Sequence, residues 1–148
     1  MSRFIEAPQE VLNELNEVVD EWFPNYKSCN IKVLMDSKRS KSKGRTVFAS
    51  IKKANDKEKY FTSSNIYPDG ADYLLFIDDN IFSNIGKEDR VRILRHELRH
   101  IYFDSEKDDP WKVIPHDFED FVAEVELNKE DPNWSLRVLE IAESVYEK

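Results

Sequence analysis

The chain has 148 residues, 40% of them hydrophobic and 35% charged, with a net charge of −8. This fits one folded domain spanning 1–148 with a core of its own, and it excludes a disordered chain or one that coats nucleic acid indiscriminately. No run approaches the roughly 18 apolar residues of a membrane span, no long apolar signal core opens the sequence, and the single cysteine, Cys29, excludes an internal disulfide, so the cytoplasm is the expected compartment.

In chain order, Val11, Leu15, Val18 and Trp22 recur at helical spacing, with Leu12 and Val19 broadening the apolar face, so a helix is expected over 10–22 and Pro24 stops it. Residues 31–35 form a short apolar run with two β-branched members and read as a strand. The polar, basic segment 38–45 reads as a loop leading into a second strand over 46–51, the two strands making a hairpin. Tyr60 and Phe61 are expected to begin a further short strand, and Tyr67-Pro68-Asp69-Gly70 a turn. The run at 73–77, YLLFI, is the most apolar in the chain and predicts a central strand. A strand in that position before the next element could border a cleft and receive a peptide by main-chain hydrogen bonds. A short turn is expected over 78–83.

The chain is organised around 90–103. Val91, Leu94, Leu98 and Ile101 make one helical face, expected to pack on the core, and Arg92, Arg95 and Arg99 fall on another, expected to be wet. At about 100° per residue, Ile93, His96 and His100 share a third face, with Glu97 between it and the core stripe. Lys87-Glu88-Asp89 puts acids at the start of this helix, as its dipole prefers. Residues four apart stand one above the other, so His96 and His100 can reach one tetrahedral ion while Glu97 is angled beside it. The expected ion is zinc, about one per chain, with Glu97 as the base that takes a proton from water. The bland alternative is a pair of surface histidines on an ordinary helix.

Residues 104–115 read as a loop broken by Pro110 and Pro115. Asp117 then reads as the N-cap of a helix with Phe118, Phe121, Val122 and Val125 on its apolar side, and Asp131-Pro132 opens a last helix carrying Trp134, Val138, Ile141 and Val145. His116, the one histidine left, is the first choice as third ligand. Glu119 and Asp120 are the rival ligands, Asp117 and Asp120 could instead hold a ligand imidazole in place, and Glu124 reads as a solvated position. Cys29 reads as a small buried hydrophobe. Lys38, Arg39, Lys41, Lys43 and Arg45 form a hairpin tip that could touch phosphates, although no aromatic is interleaved to stack bases. Tyr102 and the arginines are candidates for stabilising a developing oxyanion.

The order His96-Glu97-Leu98-Arg99-His100 and then Pro115-His116-Asp117-Phe118-Glu119-Asp120-Phe121, preceded by the basic segment and the strand at 73–77, resembles the putative phage metallopeptidase family over 30–125. It is more distantly similar to SprT-like zinc proteases, whose His-Gly-x-x-Phe segment supplies a zinc ligand. That likeness implies His116 on the metal, with Asp117 standing where that group has Gly and with no cysteine ribbon following. The resemblance implies an α+β zincin-like fold, a small mixed sheet of three or four strands with an active-site helix and flanking helices. It further implies a zinc-dependent amide-bond hydrolase acting on peptide or protein, in the host cytoplasm if the chain is phage-encoded. The alternative is an inactive, zinc-stabilised module that binds protein or DNA.

Overall fold

The computed structural model describes residues 2–65, 67–115 and 121–147. Strand β1 (Phe4–Glu6) leads into helix α1 (Gln9–Trp22), whose Val11, Leu15, Val18 and Val19 are buried as the periodicity requires. Pro24 ends α1 by opening a 3-10 turn, Pro24–Tyr26. Glu14 is buried on the same face, its carboxylate accepting from Arg90 at 2.7 Å.

Strand β2 (Ile31–Asp36) is as expected, but its partners are not. It pairs antiparallel with β1 and parallel with β6 (Tyr73–Asp78), so the hairpin expected between 31–35 and 46–51 does not form. The basic segment closes on itself instead, as the small hairpin β3 (Lys41–Ser42) and β4 (Arg45–Thr46). Lys43 and Gly44 both take positive φ there, 52° and 79°, the twist that suits a two-residue hairpin turn. Strand β5 (Ala49–Lys53) pairs antiparallel with β6. The main sheet therefore runs β1-β2-β6-β5, with β6 at its centre and β5 at an edge.

Tyr60 and Phe61 lie in a helix, α2 (Asp56–Thr62), and not in a strand. The cause is local: Asn55 accepts from the Glu58 N–H while the Glu58 carboxylate accepts from the Asn55 N–H, a complete capping box. The turn at 67–70 forms, its Gly70 N–H donating to Tyr67 C=O. Gly70 has φ +75°, and a Cβ there would stand 1.9 Å from the Lys59 carbonyl oxygen, so only glycine fits.

Helix α3 (Asp79–Phe82), capped by the Asp78 carboxylate, precedes α4 (Lys87–Leu98). The stretch after α4 is more ordered than a loop: β7 (Ile101–Phe103) and β8 (Trp111–Val113) pair as a hairpin. Helix α5 (Val122–Leu127) begins after Phe121, whose backbone is extended, so it starts later than the sequence implied; Asp117, the expected cap, lies outside the described residues. Val125, expected on its apolar side, is exposed. Helix α6 (Trp134–Tyr146) buries Trp134, Val138 and Ala142. One core joins α1, the sheet residues Val33, Met35, Leu75 and Ile77, the α4 residues Leu94 and Leu98, and this face of α6. The result is a mixed α+β fold. Among the described residues no helix is long and apolar enough to cross a membrane.

Candidate active site

Helix α4 starts at Gly86 with Glu88 and Asp89 in its first turn, where the dipole favours acids. It formally ends at Leu98, yet Arg99 keeps helical angles and donates to Arg95 C=O, and the His100 N–H donates to Glu97 C=O at 3.1 Å. The chain is therefore still turning when it places His100, and the rings of His96 and His100 stand 5.6 Å apart with planes at 74°.

The hydrogen bonds of His100 fix how it can act. Its Nδ1 lies 2.7 Å from the Ile114 carbonyl oxygen, which can only accept, so Nδ1 carries a proton and donates it there. The Ile114 N–H donates back to His100 C=O at 2.8 Å, which locks the ring's surroundings. Burial, ahead of the neighbouring His96, holds the imidazole below its ordinary pKa and so favours the neutral form that a metal takes. An imidazole oriented through one nitrogen by a backbone carbonyl is the usual support of a metal ligand.

Glu97 is buried, and burial pushes its carboxyl up to about 7, against the opposing pull of His96 and of a hydrogen bond from the Ile51 N–H. That N–H is available because of strand parity. Ala54 donates to Asp72 C=O and Asp78 donates to Phe48 C=O, so the even-numbered residues of this stretch bond to β6, while Ala49, Ile51 and Lys53 turn their main-chain groups outward. Phe121 packs edge-on against both imidazoles, with ring centroids 5.5 Å from His96 and 5.0 Å from His100.

These groups lie in a cleft of about 1080 Å³, bounded by β5 and the β3–β4 hairpin, by residues 113–115 and by the first turns of α6. β6 does not border it in the manner expected, because β2 and β5 occupy both of its edges; the edge strand that lines the cleft is β5.

The arginine face of α4 is a second correction, since Arg92 and Arg95 are buried and Arg99 half-buried. Glu124, expected to be solvated, is 1% exposed and accepts from Arg95 Nε at 3.0 Å and Arg99 Nε at 2.9 Å. Arg95 also donates to Asn128, and Arg92 to Asp89, Glu130 and Asp131. The guanidinium groups of Arg95 and Arg99 lie over the rings of Trp22 and Phe23.

The structure thus brings together His96, Glu97 and His100. His116, Asp117, Glu119 and Asp120 lie outside the described residues, among which no group of three His, Cys, Asp or Glu side chains stands ready to hold a metal. The chemistry of the two imidazoles fits zinc all the same, with one of them oriented by a carbonyl and set on the wall of an open cleft. Lys38, Lys41, Lys43 and Arg45 are exposed on or beside the hairpin, whereas Arg39 is a strut, donating to Thr46 Oγ1 at 2.8 Å and to Glu147 at 3.2 Å while lying over Tyr146. Cys29 lies away from the cleft, its thiol pushed up by burial, and neither Tyr102 nor Arg92, Arg95 and Arg99 line the cleft. Ile51 and Ile114 act through main-chain groups and left no signal in their side chains. Phe121 was legible only as an apolar position.

The model of a protein family described as putative phage metallopeptidase matches residues 2–146. The chain belongs to that family. The description of that family names a metallopeptidase, and the match covers the whole cleft, from the β3–β4 hairpin to α6. No curated protein matches the chain.

Proposed function

We propose that this family member is a zinc-dependent peptidase in which Glu97 is the general base. The observation that carries the reading is the convergence of His96, Glu97 and His100 on the wall of a cleft lined by the edge strand β5, with His100 Nδ1 bonded to the Ile114 carbonyl. His96 and His100 would hold the ion, and His116 is our choice for the third ligand, with Glu119 and Asp120 as the rival donors and Asp117 or Asp120 as support for a ligand imidazole. Zinc held there would supply a Lewis acid for the scissile carbonyl and would lower the pKa of water towards neutrality.

The chain's own groups do the rest. The outward N–H and C=O of Ala49 and the C=O of Ile51 offer an extended peptide main-chain hydrogen bonds along β5. Glu97 takes the proton from the attacking water on a carboxylate oxygen and passes it to the nitrogen of the leaving amine, so the C–N bond breaks to an acid and a neutral amine. We place this activity in the host cytoplasm, consistent with a chain whose single cysteine needs no oxidant.

The test is hydrolysis of a mixed peptide pool by zinc-loaded wild type and by Glu97→Gln. Turnover is expected to fall by about 10²–10⁴-fold in Glu97→Gln with zinc retained. Equal turnover in the two would remove Glu97 from the role of base, and no turnover in the wild type would favour a binding module.

A further inference from the structure

The chain carries 30 acidic residues, yet Glu97 is the one carboxylate among the described residues lining the cleft, and it is buried. Most of the rest of the wall is apolar or small. At the His100 end Val113 and Ile114 are exposed to the cleft, held by the paired main-chain bonds between Ile114 and His100. At the other end Arg137 binds Asp89 at 2.6 Å, which brings the start of α6 to the first turn of α4. Leu136 and Leu139 thereby join Ile93, one turn before His96 and Glu97, on the same wall.

Leu136 is 57% exposed. A lone exposed leucine needs no cause, but Leu136 lines the same cleft as Leu139, Val47 and Phe48. The same cleft carries the outward main-chain groups of Ala49, and a peptide bonded there turns every second side chain towards one face.

We propose that Leu136 and Leu139, with Val47 and Phe48, form a subsite that seats one aliphatic or aromatic side chain of the peptide next to the bond that is cut. This rests on the peptidase reading above. None of these four side chains is charged, although Arg45 also lines the cleft, so the subsite favours an apolar side chain over a basic one and makes Leu136 a specificity residue.

Zinc-loaded full-length wild type and Leu136→Lys are each given a proteome-derived peptide mixture, and the cut sites are mapped by mass spectrometry. Wild type is expected to cut with Leu, Ile, Met or Phe enriched about tenfold or more at one position beside the bond. Leu136→Lys is expected to lose that enrichment in favour of Asp or Glu, with zinc content and thermal unfolding unchanged. Cutting without apolar enrichment, or the same profile in both proteins, overturns the subsite and leaves the peptidase intact. In parallel, Glu97→Gln and Glu97→Gln/Leu136→Lys are bound to an array of uncut peptides. Apolar-dependent binding that Leu136→Lys abolishes, in a protein whose wild type cuts nothing, keeps the subsite and sinks the peptidase reading. Binding indifferent to apolar side chains sinks the subsite.

Discussion

Helix α4 presents two polar faces, and they are built in opposite ways. His96 and His100 stand on a cleft wall, where the described contacts that orient them come from the Ile114 carbonyl and the Phe121 ring. Arg92, Arg95 and Arg99 are enclosed by carboxylates and an amide from later in the chain, Glu124, Asn128, Glu130 and Asp131 among them. The histidine face keeps one side open to the cleft, whereas the arginine face is largely closed by side chains of other elements. Closing it holds the imidazoles still, because the turn that carries Arg95 and Arg99 also carries His96 and His100.

The contrast breaks first at Glu124. Glu124→Ala leaves Arg95 buried without its carboxylate, and urea unfolding is expected to show a loss of about 3–5 kcal/mol. A loss below about 1 kcal/mol would mean that the closed face is not a structural one. The open face should behave in the reverse way. In metal-free protein, His100→Ala is expected to change stability by about 1 kcal/mol or less, since the ring is half-buried and lines the open cleft. A large loss there would make the two faces alike.

A smaller effect serves as a control away from α4. Arg3 donates to Asp36 at 2.7 and 2.8 Å and holds its carboxyl below the usual carboxylate range, with the Lys38 N–H assisting. A carboxyl whose pKa is depressed in the fold stabilises above its unfolded pKa, about 4, and that contribution is lost as pH falls through the folded value. Asp36→Asn is therefore expected to be less stable than wild type at pH 7, with the gap closing below about pH 4. A gap that persists at low pH would assign it to lost packing. Neither protein should differ in zinc binding.

What was legible in the sequence was local. The spacing of His96, Glu97 and His100 is set within one helical turn, the stripe of α1 within four, and the continuous apolar run of β6 marks a strand buried at the centre of a sheet. What was not legible depends on distant partners. Arg95 and Arg99 read as wet because their carboxylate, Glu124, arrives from another helix, and only its arrival makes their burial tolerable. β2 was paired with the wrong strand because its neighbour β6 lies across the whole of β5 and α2 in the chain. The strand expected at Tyr60 and Phe61 is a different failure: Asn55 and Glu58 spell a capping box that outweighs the β propensity of two aromatics.

The most direct measurement is the zinc content of metal-stripped protein dialysed against zinc and then freed of excess metal. About one zinc per chain is expected for wild type, for Glu97→Gln and for folded Glu124→Gln, and little or none for His96→Ala and His100→Ala. Wild type that holds no zinc, or a His100→Ala variant that holds as much as wild type, would contradict the assignment of the open face of α4 to a metal.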